Sequence, residues 1–317
     1  MAITFIAGGY GGYATIGGKS VFLTSYGLSM STNFIESSAS GRIWDNAQNK
    51  FGRLSLSGYR DFAGYDLSLS FEATRESFNY LLDRIVNHPH VPIPVVFKDV
   101  NYTLEYSFEQ AYISKVTFSF NTDGACEINA DFLVCKRTVE VCPPSNVVNN
   151  QINPQGEYLA GETLLPYYFF GIEYDDDNIG IDGLVSFSLT LEQQIEKKFG
   201  CVGFASDNCP EEPMYLVFGK MNGSYSITYL YKRDNSNSES NESNSGSGSN
   251  GIGAVTNVNC LAQERNIVVK YKGAVILQCG KAFAETYVPN VAQKSGYNTV
   301  QIDGAIFGGV EFQPIVQ

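Results

Sequence analysis

The stretch Gly64–Val86, GYDLSLSFEATRESFNYLLDRIV, changes its period half-way. Leu67, Leu69 and Phe71 alternate with serines, the period of two that marks a half-buried strand. Phe78, Leu81, Leu82 and Ile85 then fall at i, i+3, i+4 and i+7, which is one apolar stripe on a helix. Thr74 stands between the two patterns, and its hydroxyl can accept from the free N–H groups of a first helical turn. The spacing predicts a helix over 74–87, with Arg75, Glu76, Asn79 and Asp83 on its polar face. Pro89 in NHPHVPIP ends it, because proline cannot continue a helix and biases His88 away from helical angles. A strand that turns directly into one amphipathic helix needs a sheet around the strand and an apolar surface beneath the helix.

The rest of the chain supplies strands. KSVFLTSYGLSMS (19–31), GRLSLSGYR (52–60), VVFKD (95–99), NYTLEYSF (101–108), YISKVTFSF (112–120) and CEINADFLVCK (126–136) all read as extended. In GRLSLSGYR, Leu54 and Leu56 oppose Ser55 and Ser57, and Gly58–Gly64 reads as a hairpin or short crossing loop. Residues 138–163 are polar, contain prolines and have no period, so they read as a linker. Strands resume with YYFFGIEYDD and LVSFSLTLEQQIEKKFG, and Asn222-Gly223 lies between two alternating runs as a hairpin signal. DNSNSESNESNSGSGSNGIG (234–253) is low-complexity and reads as a flexible loop. Residues 255–265 are read as a short helix. Abundant Tyr and Phe (20 and 21) and 31 glycines agree with a mainly β chain of strands and turns.

The two parts of the chain share an order. GRLSLSGYRDFAGYDLSLSFE resembles PMYLVFGKMNGSYSITYLYKR, and residues 93–134 resemble residues 266–307. The expected organisation is therefore a Gly-rich arm over 1–18, a β domain over 19–137, the linker over 138–163, and a second β domain, a candidate repeat, over 164–317.

The net charge is −12 and uneven: residues 1–137 hold 11 Lys+Arg against 13 Asp+Glu, and the remainder 10 against 20. An acidic chain with no basic stripe is a poor gripper of nucleic acid. It suits a wall that phosphate slides past. MAITFIAGGYGG lacks a basic start and a long apolar run, so no targeting segment or membrane anchor is expected.

Motifs for chemistry fail on spacing. GGYGGYATIGGKS places Lys19 one position late for a phosphate loop, and a strand rather than a helix follows. It reads better as an arm that orders against a neighbouring subunit. DDDNIGIDG (175–183) lacks the glutamate of a calcium loop. His88 and His90 are the only histidines and have no cysteine nearby to complete a zinc site. No G-x-S-x-G elbow is present. No catalytic residue, metal or cofactor is expected. The seven cysteines are odd in number. Cys135 and Cys142 bracket the linker's start and Cys201 and Cys209 bracket VGFASDN, so free thiols and disulfides within or between subunits both stay open.

The strand–helix order centred on Gly64–Val86, with IGGKSVFLTSYGLSMSTNF before it, resembles bacteriophage tail tube proteins and the tube proteins of contractile injection systems. The resemblance spans residues 15–137 and, more faintly, 164–317. It implies an antiparallel β-barrel or sandwich with one flanking helix, twice in tandem if the second half is a repeat. It also implies that copies of the chain form stacked rings around a lumen that conducts DNA without binding it specifically. Each ring would be a hexamer, or a trimer with six-fold pseudo-symmetry. The implied partners are other copies, a tape measure protein and a sheath; the implied place is the virion tail, after assembly in the host cytoplasm. The alternative is a receptor- or glycan-binding β module, or an adaptor that initiates the tube at the baseplate.

Overall fold

Alternation becomes burial in the strand before the helix: Leu67, Leu69 and Phe71 are inside, while Ser68 and Ser70 face outward. The structure, a computed structural model, describes residues 12–35, 42–45, 50–53, 59–99, 104–121, 126–141, 164–174, 177–179, 183–198, 215–231, 264–291 and 298–316. The fold is mainly β with one α-helix. The first half contains β1 (Gly12–Ile16), β2 (Lys19–Ile35), β3 (Arg42–Asp45), β4 (Lys50–Arg53), β5 (Tyr59–Glu72), α1 (Arg75–Val86), β6 (Ile93–Asp99), β7 (Leu104–Asn121) and β8 (Glu127–Val141). The second contains β9 (Phe170–Tyr174), β10 (Asp177–Ile179), β11 (Leu184–Lys198), β12 (Tyr215–Tyr231), β13 (Glu264–Tyr271), β14 (Ala274–Val291), β15 (Asn298–Ile306) and β16 (Val310–Phe312).

Among the described residues fourteen strands form one antiparallel sheet, and β3 pairs with β4 apart from it. The main path is β10-β9-β13-β14-β15-β12-β11-β7-β6-β1-β2-β5-β8; β8 also pairs with β7, and β16 with β14. The whole is not closed into one barrel. It folds over on itself as a sandwich, with the aliphatic and aromatic face of each strand turned inward.

The second half repeats the first in its pairings. Leu28, Leu67, Phe132 and Ile113 oppose one another in a row across β2, β5, β8 and β7. Leu189, Tyr225, Gly304 and Ala284 form the same row across β11, β12, β15 and β14. The irregularities recur as well. The register shifts after Leu23 in β2 and after Leu184 in β11, each time with the next pair two residues on. It also shifts between Ile113 and Lys115 in β7 and between Ala284 and Thr286 in β14. Bulges are specific features of a strand pair, so their recurrence at matching places marks two versions of one fold. β9–β13 likewise matches β1–β6.

Several sequence expectations need correction. The end of the Gly-rich arm is not an arm: Gly12–Ile16 is a strand between β2 and β6, with Ala14 and Ile16 buried. Gly17 and Gly18, both at positive φ, make its tight turn into β2. Gly58–Gly64 does not turn, because β5 runs unbroken from Tyr59. Residues 101–108 and 112–120 are not two strands: Leu104–Asn121 is continuous, with the irregularity absorbed by a register shift near Gln110. The linker starts later than 138, since β8 continues to Val141. Of the helix expected over 255–265, the last two residues begin β13, and residues 255–263 lie outside the described residues.

Asn222-Gly223 is also not a hairpin. β12 passes straight through it, held along its length by β11 on one side and from Gly223 onward by β15 on the other. Glycine is needed there because a Cβ would run into the Thr190 carbonyl oxygen. Gly223→Ala is expected to cost about 1–3 kcal/mol, read as a lower urea midpoint; an unchanged midpoint would show that the strands can separate without loss.

Residues 1–11, Leu54, Leu56, the linker's 142–163, the tract 234–253 and the loop cysteines Cys142, Cys201 and Cys209 lie outside the described residues.

Candidate functional site: the joint between the halves

β7 is longer than one partner can cover. Its first part pairs with β6, through Glu105 to Ala111, and its second part pairs with β11 of the other half. The joint runs from Lys115 opposite Glu192 to Asn121 opposite Ser186. On the inner face Val116, Phe118 and Phe120 meet Leu191, Leu189 and Phe187, all buried. On the outer face the Thr117 and Thr190 hydroxyls are 3.0 Å apart and hydrogen-bonded. Cross-strand pairs of these types contribute about 0.2–1 kcal/mol each, and the buried apolar area adds to that.

The joint makes one sheet of both halves, in the order β2-β5-β8-β7-β11-β12-β15-β14. Its outer face is polar across the middle strands, with Leu133, Phe283 and Val288 among the apolar residues on it. One row reads Ser25, Ser70, Asn129, Thr117, Thr190, Ser224 across six strands. A neighbouring row carries Glu127, Ser119, Ser188, Ser226 and Asp303. Short hydroxyls and carboxylates dominate, with Lys115 among them. Ser68 donates to Asp131 at 2.6 Å, and Gln301 and Thr286 both donate to Asp303 at 3.0 Å.

The helix seals the other face, and it does so across both halves. Phe78, Leu81, Leu82 and Ile85 are all buried, as their spacing predicts. The Phe78 ring stands 4.8 Å from Phe118, 6.1 Å from Phe170 and 6.2 Å from Phe312, so it touches β7, β9 and β16 together. Asn79 clamps the backbone of Ile315: its Nδ2 donates to the carbonyl at 3.0 Å, and its Oδ1 accepts from the N–H at 2.8 Å. Thr74 caps the helix as expected, accepting from the Ser77 N–H at 3.1 Å, while the Ser77 hydroxyl receives the Thr74 N–H.

Among the described residues no three of His, Cys, Asp and Glu come together as a metal site. His88 and His90 are exposed in the loop after α1, and His88 Nε2 lies 3.9 Å from Asp83. Cys135 lies in β8. Two cysteines that spacing did not single out, Cys126 and Cys279, are buried free thiols. Alternation in VILQCGKAF carries a signal for Cys279, since it falls in phase with Leu277. Burial pushes both thiols up from 9.0 to about 12. The stability linked to them is full below about pH 9 and is lost as pH rises through 12. At pH 8 a thiol reagent is expected to spare both in the folded chain and label both in denaturant. Mass spectrometry of the labelled peptides reads this, and native labelling would contradict their burial.

No protein-family model and no curated protein matches the chain. No helix among the described residues is long and apolar enough to cross a membrane.

Proposed function

We propose that this chain is a structural subunit of a bacteriophage-type tail tube, assembling with copies of itself into stacked rings around a DNA-conducting lumen. The observation that carries the reading is the joint: two versions of one fold, placed side by side, extend a single sheet from β7 into β11. A unit that joins to its own repeat in this way is suited to polymerise. The polar outer face of that sheet would line the lumen. Short hydroxyls and an acidic excess there leave phosphate unbound. The helix would seal the sheet's back on the outside. The duplication favours three chains per ring with six pseudo-equivalent halves. The role is mechanical, with no catalysis, and its site is the virion tail.

Negative-stain microscopy of the purified chain over a concentration series tests this. End-on views with a central hole and six-fold pseudo-symmetry are expected. Compact monomers or solid particles at every concentration would overturn the reading and favour a binding module or baseplate adaptor.

A further inference from the structure

Strand β14 ends in an edge with the same place in its half that the joint edge of β7 has in the first. On that side, among the described residues, β13 covers β14 as far as Phe283, as β6 covers β7 as far as Ala111. Residues 286–291 are thus paired with β15 alone among the described residues. At the other end of the sheet, β2 occupies the place of β11. Among the described residues β1 covers it as far as Leu23, and residues 25–35 are paired with β5 alone. The two strands that end the eight-stranded sheet are therefore the counterparts of the two strands that meet inside the chain.

We propose that β14 of one copy pairs antiparallel with β2 of the next, in the register of the internal joint. This rests on the tube reading and specifies its partner surface. The equivalent rows fix the register: Thr286 opposite Ser31, Val288 opposite Ser29, and Asn290 opposite Gly27. The same register sets Tyr287 opposite Met30, Pro289 opposite Leu28 and Val291 opposite Tyr26. The register continues the row that ends at Asp303 and Thr286. Thr24, Ser25, Tyr26 and Gly27 are all exposed, on both faces of β2, as is Val288 on β14. Among the described residues these two edges carry no further strand, and such an edge invites pairing. The match of β14 to β7 and of β2 to β11 selects β2, rather than a second β14, as the partner.

The test is a pair of cysteines, Ser29→Cys with Val288→Cys. Opposed residues bring their Cβ atoms to about 4.5–5.5 Å, so mild oxidation is expected to give a ladder of linked chains on non-reducing gels, ending at one ring. Each single variant is the control for the native thiols. Ser25→Cys with Val288→Cys is the register control, displaced about 13 Å along the strand, and is expected to give no ladder. Hydrogen exchange on the unaltered chain is the second measurement, with residues 25–31 and 286–291 gaining protection on assembly. Rings by microscopy without the ladder and without that protection would overturn this joint and leave the tube reading standing. A chain that forms no rings and no ladder at any concentration would overturn both.

Discussion

Leu81→Asp is expected to leave no folded protein at neutral pH. Leu81 is 1% exposed, in the centre of the stripe that α1 lays over β7. A carboxylate there would lose water and gain no partner, and the cost exceeds about 4 kcal/mol. That is a large share of the stability of a typical chain. The sign of its pH dependence is fixed. Burial raises the folded-state pKa of the new Asp above about 3.9, so the damage is smallest below that value and grows as pH rises. Circular dichroism at pH 4 and pH 7 is expected to show more folded variant at the lower pH, a difference the parent lacks. Leu81→Met keeps shape and apolarity and is expected to cost under about 1.5 kcal/mol. Normal unfolding of the Asp variant at pH 7 would contradict the packing of the helix.

Phe118→Ala is expected to cost about 3–5 kcal/mol. Its ring lies within 4.8–6.4 Å of Phe78, Phe170, Phe120 and Phe187, which belong to α1, β9, β7 and β11. The deletion therefore opens a void shared by both halves. Urea unfolding is expected to remain one transition at a lower midpoint, because the halves share this cluster. A double-mutant cycle with Phe170→Ala should give a coupling of at least about 0.5 kcal/mol. Two separate transitions, with one midpoint untouched, would show that the halves fold independently and that the joint is weak.

Much of the fold was legible because burial on one face leaves a period. Leu67, Leu69 and Phe71 declared a strand, Phe78 to Ile85 a helix, and Thr74 its cap. The likeness of residues 93–134 to 266–307 falls on strands that pair in the same order in both halves. What failed was local turn chemistry where long strands overrule it. Asn222-Gly223 carries a turn signal, yet strands on both sides hold it straight. Gly58–Gly64 failed similarly, because β2 pairs with β5 from Tyr59 to Phe71. The joint itself left no mark in any window of residues, because it depends on which distant strand lies beside β7. The partners of Phe78 in β9 and β16 were hidden for the same reason.

Asn79 and Ile315 are 236 positions apart, and the backbone clamp between them exists only when both have been made. During synthesis the ribosome completes α1 long before it reaches β16. Through that interval Phe78 lacks Phe170 and then Phe312, and the helix lies on a half-built support. The nascent first half is therefore a sticky intermediate whose docking waits on translation. Slow elongation across the second half would lengthen that exposure, and a holdase chaperone bound over the bare stripe of α1 would shorten its consequences.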